Sequence, residues 1–206
     1  MKLRVQDVRI FSEIEYEKAF SSLPLWRQEK VEKLKKTEDK KLSVFAFSLA
    51  REMLSEVLLK DESRTLIYPD EKGKLRVRGD AVNFSVSHSF PFVAVAVNSG
   101  EVGVDIECPR EVSRSVLRRS LSEEEISYVT EDVDLREKLS PKESKKFLRI
   151  WTMKEAYLKF TGEGLSGGLQ NVNTINEKGE VSLQRGNIKS HGEETDDYIL
   201  SLVWEE

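Results

Sequence analysis

The chain has 206 residues, with 33 Lys and Arg against 37 Asp and Glu, for a net charge of -4. That balance argues against a general nucleic-acid binder. The single cysteine, Cys108, excludes an intrachain disulfide and points to a reducing cytoplasm, and with only His88 and His191 beside it a Cys/His zinc site is not expected.

Met1 to Val8 alternates charged and apolar residues and lacks the apolar core of a signal peptide. A basic run follows at Arg27, Lys30, Lys33, Lys35 and Lys36, read as a solvated helix face from which one or two cations could meet phosphates. Asp39 to Leu59 carries Leu42, Phe45, Ala46, Leu49, Met53, Leu54 and Val57 at helical spacing. Short strands are expected near Leu66, Leu75, Phe84 and Val93, with Asp70-Glu71-Lys72-Gly73 supplying the glycine of a hairpin turn. Lys74 follows that turn, where its charge could swing into a cleft. Ser87-His88-Ser89 closes the strand-like Phe84-Ser85-Val86. A histidine flanked by hydroxyls suits a phosphate contact, and the alternative is a histidine bonded within the fold. A Ser–His hydrolase is disfavoured because no Gly-x-Ser-x-Gly elbow occurs. The longest apolar run, Phe92 to Val97, is a strand length and too short to span a membrane.

Val102-Gly103-Val104-Asp105-Ile106-Glu107 reads as a strand with Gly103, Asp105 and Glu107 on one face. Asp is disfavoured in strands, so two carboxylates beside a glycine that leaves room for something to approach point to a hard cation bridging to phosphates, against the alternative of a solvated face. Ser122-Glu123-Glu124-Glu125 caps a shorter helix between two halves. Ser140-Pro141-Lys142-Glu143 is a capping box opening a second long helix, with Phe147, Ile150, Trp151, Tyr157 and Leu158 as its apolar residues and Gly162 to end it. Glu155 and Lys159 share a face of that helix. The alternative to a functional pair is a surface Glu–Lys pair. The neighbourhood of Trp151, Tyr157 and Leu158 makes an unpartnered carboxylate costly, which favours a metal ligand or general base. Strands are expected around Val172, Val181 and Ile199.

The chain echoes itself. Glu38-Asp39-Lys40-Lys41, Glu71-Lys72-Gly73-Lys74, Arg78-Gly79-Asp80 and Phe92–Val97 recur at a nearly constant offset. The second copies are Glu143-Ser144-Lys145-Lys146, Glu177-Lys178-Gly179-Glu180, Arg185-Gly186-Asn187 and Tyr198–Trp204. The expectation is an α+β protein of two similar halves, residues 1–99 and 100–206, sharing a central cleft.

Phe84-Ser85-Val86-Ser87-His88-Ser89, Val102–Glu107 and Trp151-Thr152-Met153-Lys154-Glu155-Ala156-Tyr157-Leu158-Lys159 occur in that order. With these three motifs the chain resembles the 4′-phosphopantetheinyl transferase superfamily, in its larger form named after the surfactin-synthetase-activating enzyme. The resemblance implies an intramolecular pseudo-dimer acting as a monomer. It implies transfer of the phosphopantetheine arm of coenzyme A to a serine of an apo acyl or peptidyl carrier protein, releasing adenosine 3′,5′-bisphosphate. It further implies that Asp105, Glu107 and Glu155 hold Mg²⁺, that Glu155 is the base and that Lys159 pairs with the pyrophosphate. Lys74, Ser87, His88 and Lys154 are implied as coenzyme A contacts. A different Mg²⁺-dependent phosphotransferase, or a homologue that binds carrier protein with little catalysis, is the alternative. The lack of a Walker or dinucleotide loop weighs against the former.

Overall fold

The structure, a computed structural model, describes residues 1–79, 82–130, 137–164 and 168–206. The chain divides into two compact units, Met1–Glu101 and Val102–Glu206.

In the first unit, β1 (Lys2–Asp7) leads through α1 (Glu13–Ser21) and α2 (Leu25–Glu32) to the 22-residue α3 (Thr37–Leu58). The hairpin β2 (Ile67–Pro69) and β3 (Leu75–Val77) follows, then β4 (Asn83–Ser89) and β5 (Phe92–Asn98). β1, β5 and β4 form one antiparallel sheet in that order. α3 packs on β4 and β5, while α1 and α2 cover its other side. Burial therefore extends beyond the expected stripe to Val44, Phe47 and Ala50. Phe11 stacks on Phe45 with ring centroids 4.1 Å apart, and Trp26 meets Phe47 edge-on at 5.9 Å.

The second unit runs β6 (Val102–Glu107), α4 (Arg114–Ser120), α5 (Glu123–Val129), the 21-residue α6 (Pro141–Thr161), β7 (Ile188–Glu194) and β8 (Ile199–Glu205). Its sheet order is β6-β8-β7, antiparallel throughout, with α6 packed on β6 and β8. Each unit thus has a first strand, two short helices, a long helix and a closing hairpin whose last strand lies in the middle of the sheet. The sequence echoes fall on equivalent parts of this order. Glu38–Lys41 and Glu143–Lys146 open α3 and α6, and Phe92–Val97 and Tyr198–Trp204 supply the central strands. The two turns match bond for bond. Asp70 Oδ1 accepts from the N–H groups of Lys72 (3.0 Å) and Lys74 (2.9 Å), and Asn176 Oδ1 accepts from those of Lys178 and Glu180 (both 2.9 Å). Gly73 and Gly179 occupy the left-handed region at φ 85° and 74°, which a side chain would resist. Asp80, in the remaining echo, lies outside the described residues.

Several expectations are corrected. The Ser122 helix, α5, belongs to the second unit rather than standing between halves. Val172 follows a 3-10 turn, Leu169–Asn171, and is buried against α6 side chains rather than in a ladder. Val181 makes only an isolated bridge to Ile175. The Met1–Val8 alternation is β1, whose register against β5 pairs Lys2 with Val97. Among the described residues no helix is long and apolar enough to cross a membrane.

Candidate active site

α6 is held at both ends by local chemistry. Ser140 Oγ accepts from the Glu143 N–H at 3.3 Å, Glu143 Oε2 accepts from the Ser140 N–H at 2.7 Å, and Gly162 terminates the helix at φ 73°. Its placement on β6 depends on Gly103. A Cβ built there would lie 1.9 Å from the Ala156 carbonyl oxygen and 2.5 Å from the Phe160 nitrogen. The room beside the two strand carboxylates is therefore filled by the backbone of α6.

That close approach brings the Asp105 face of β6 against the Glu155–Lys159 face of α6. Lys159 Nζ donates to Asp105 Oδ1 at 2.7 Å. Asp105 is buried, with 6% exposure, so the solvated-face alternative fails for it. Glu155 is half-buried, and its Oε1 is buried and takes no hydrogen bond. Burial first, then the charge of Asp105, pushes the Glu155 carboxyl pKa up; Lys159 opposes this and Glu107 adds to it. Glu107, at the end of β6, is partly exposed and 3.5 Å from Arg110 Nε. Such a cluster of crowded carboxylates beside a lysine is the environment that binds cations and tunes a base.

The expected Mg²⁺ triad of Asp105, Glu107 and Glu155 is not a ready-made cage. Among the described residues no three His, Cys, Asp or Glu side chains converge closely enough to hold a metal ion. The donor set nevertheless fits Mg²⁺, which usually takes one or two protein carboxylates and fills its shell with phosphate and water oxygens. The buried, unbonded Glu155 Oε1 is the oxygen such an ion would satisfy.

Lys154 is not placed as the resemblance implied. It is fully buried, its Nζ 2.5 Å from Glu125 Oε2, and it also donates to the carbonyls of Leu169 (2.8 Å) and Ser120 (3.2 Å). Burial pushes its pKa down, opposed by Glu125. An ammonium has three donors, all engaged here, so none is left for coenzyme A. Replacing Lys154 alone by Met strands the buried Glu125, and breaking such a pair costs about 3–5 kcal/mol; urea unfolding should show that loss.

In the first unit, Ser87 is buried and His88 exposed at the end of β4. Lys74 Nζ lies 2.6 Å from Glu101 Oε2, and Glu101 Oε1 is 2.6 Å from Arg76. Burial pushes the Lys74 pKa down against the opposing pull of Glu101. Burial raises Glu101, but Lys74 and Arg76 outweigh it and hold its carboxyl below the usual range. Nothing in the local sequence pointed to Glu101, because its partners stand on β3 and in the turn before it.

Residues 101–203 match the family model described as the 4′-phosphopantetheinyl transferase superfamily. That segment contains β6 and α6 entire.

The chain belongs to the 4′-phosphopantetheinyl transferase superfamily.

Its similarity to curated members extends into the first unit. It is 29% identical to the 4′-phosphopantetheinyl transferase Sfp of Bacillus subtilis (strain 168) over 179 residues, 85% of this chain and 77% of that protein. It is 28% identical to the 4′-phosphopantetheinyl transferase ffp of Bacillus subtilis over 178 residues, with the same coverage. It is 31% identical to the 4′-phosphopantetheinyl transferase gsp of Aneurinibacillus migulanus over 117 residues, 57% of this chain and 46% of that one. The expectations of an α+β fold and of a transferase of the Sfp type are borne out.

Proposed function

We propose that this protein transfers the 4′-phosphopantetheine arm of coenzyme A to a serine of an apo acyl or peptidyl carrier protein, with Mg²⁺, releasing adenosine 3′,5′-bisphosphate. The observation that carries the reading is the pairing of Lys159 with Asp105 beside the buried Glu155 oxygen, inside the segment that the family model covers. The serine oxygen forms a bond to the phosphorus bearing pantetheine. The bridging P–O bond breaks, and the bisphosphate leaves with the electron pair. Asp105 and Glu155, with Glu107 at the rim, are the residues that would hold Mg²⁺, which supplies charge neutralisation for the pyrophosphate. Lys159, anchored by Asp105, adds a fixed positive charge where the leaving group develops negative charge. Glu155, whose surroundings raise its proton affinity, accepts the serine proton directly or through water.

Lys74, Ser87 and His88 are assigned to coenzyme A phosphates from the motif match. A phosphate reaching Lys74 competes with Glu101 for it. We further assign a monomer and a cytoplasmic setting, in keeping with an internally repeated chain and a single cysteine. The test is intact mass spectrometry of apo carrier proteins incubated with the protein and coenzyme A. A phosphopantetheine-sized gain should appear with Mg²⁺, vanish with EDTA and return when excess Mg²⁺ is restored. No gain on any carrier, from folded protein that binds coenzyme A, would favour a binding-only homologue.

A further inference from the structure

Glu155 and Lys159 are useful only if α6 is held at one rotation about its axis. The contact at Gly103 fixes how closely α6 approaches β6, and Thr152 Oγ1, 2.8 Å from Ser201 Oγ, ties the helix to β8; both holds are on the side that faces the sheet. An attachment on a different side of the helix opposes rotation about its axis more directly than any hold on the sheet side. Lys154 provides it. Neighbouring helix residues point about 100° apart, so Lys154 leaves α6 in a different direction from Glu155.

The network it enters is completely satisfied. Lys154 Nζ meets Glu125 Oε2, Ser120 O and Leu169 O. Glu125 Oε2 also accepts from the Ser122 N–H at 2.9 Å. Glu125 Oε1 accepts from the Thr174 N–H at 3.1 Å and from Thr174 Oγ1 at 2.9 Å. Lys154, Glu125 and Thr174 are each 0% exposed. One residue of α6 is thereby bound to the end of α4, the cap of α5, the 3-10 turn at Leu169 and the segment at Thr174. Buried ion pairs add little net stability over apolar side chains of similar volume, whereas a saturated polar network specifies one arrangement.

We propose that Lys154 and Glu125 are a positioning pair that locks the rotation of α6, so that Glu155 and Lys159 face Asp105. The pair touches neither substrate. The inference rests on Glu155 and Lys159 doing the chemistry proposed above. Its opposite is a pair that only holds the fold.

The test replaces both charges with apolar side chains, E125L/K154M, alongside the unaltered protein. Misplacement by about 1 Å costs on the order of 10²-fold in rate. The double variant should therefore unfold at a temperature close to that of the parent, keep KM for coenzyme A and for carrier within about twofold, and lose at least about 30-fold in kcat. A folded double variant with kcat within about threefold of the parent overturns the proposal, as does an activity loss that only follows the folded fraction. If the double variant does not fold, Thr174→Val and Thr174→Ser decide. The serine retains the hydroxyl that grips Glu125 and should keep kcat, whereas the valine should lower it at unchanged KM; equal kcat in the two overturns the proposal. A crystal structure of whichever variant folds gives a readout independent of activity. The Lys159–Asp105 separation, 2.7 Å here, should open beyond ion-pair distance in E125L/K154M or in Thr174→Val, and an unchanged separation overturns the proposal. An inactive parent protein defeats the functional reading, while the crystal comparison still decides the positioning one.

Discussion

Glu155→Gln should reduce pantetheinyl transfer by about 10²–10⁴-fold, the range for loss of a positioned general base, while making the protein more stable rather than less. The two effects have one origin. Glu155 is desolvated and stands near Asp105 and Glu107, with only Lys159 in opposition, and its carboxyl pKa is raised above the ordinary 4.5. The folded protein therefore holds this proton more tightly than the unfolded chain does. Stability falls as pH rises from the unfolded value through the folded one, because the charge must then be accommodated among carboxylates. Glutamine cannot ionise and removes that penalty. Thermal unfolding in EDTA, compared at pH 4 and pH 8, should show the advantage of Glu155→Gln at the higher pH only. Mass spectrometry of the carrier reads the rate. A variant that loses activity but is also less stable at pH 8 would mean that Glu155 holds the fold together instead of serving the chemistry.

Gly103→Ala should have the largest effect on folding of any single methyl addition to β6. The new Cβ would stand 1.9 Å from one helix backbone atom and 2.5 Å from another, neither of which can swing aside as a side chain would. α6 must lift from β6, and with it from β8, the other strand on which it packs. Overpacking of a close-packed core costs about 1–3 kcal/mol and occasionally more, and a backbone clash belongs at the upper end. For a chain of this size, about 3 kcal/mol lowers the melting temperature by about 6–12 °C. The same displacement draws Lys159 away from Asp105, so activity should fall even at temperatures where the variant is folded. A variant that melts like the parent would show that α6 has a tolerance for movement that its contact with Gly103 denies.

The sequence alone determined the features that depend on neighbours along the chain. The Ser140–Glu143 capping box, the glycine turns after Asp70 and Asn176, the alternation in β6 and the spacing of Glu155 and Lys159 are local, because they are set by helix and strand periods and by one or two backbone bonds. The three motifs also identified the family, since residue types at fixed spacing survive without any knowledge of packing. Only the tertiary structure decided what each feature meets. Gly103 was legible as a place of close approach, but a strand pattern does not say whether a ligand or a helix approaches. Lys154 read as a second cation beside Glu155, yet its direction around α6 takes it to Glu125, 29 residues earlier in the chain. Val172 has the residue type of a strand and is buried, but burial against α6 replaced ladder pairing. The stripe on α3 was too narrow because the sequence shows which residues are apolar and not that a sheet and two helices cover opposite sides of one helix. In each case the deciding contact joins residues far apart in sequence, and its strength comes from removing both partners from water, which no local pattern records.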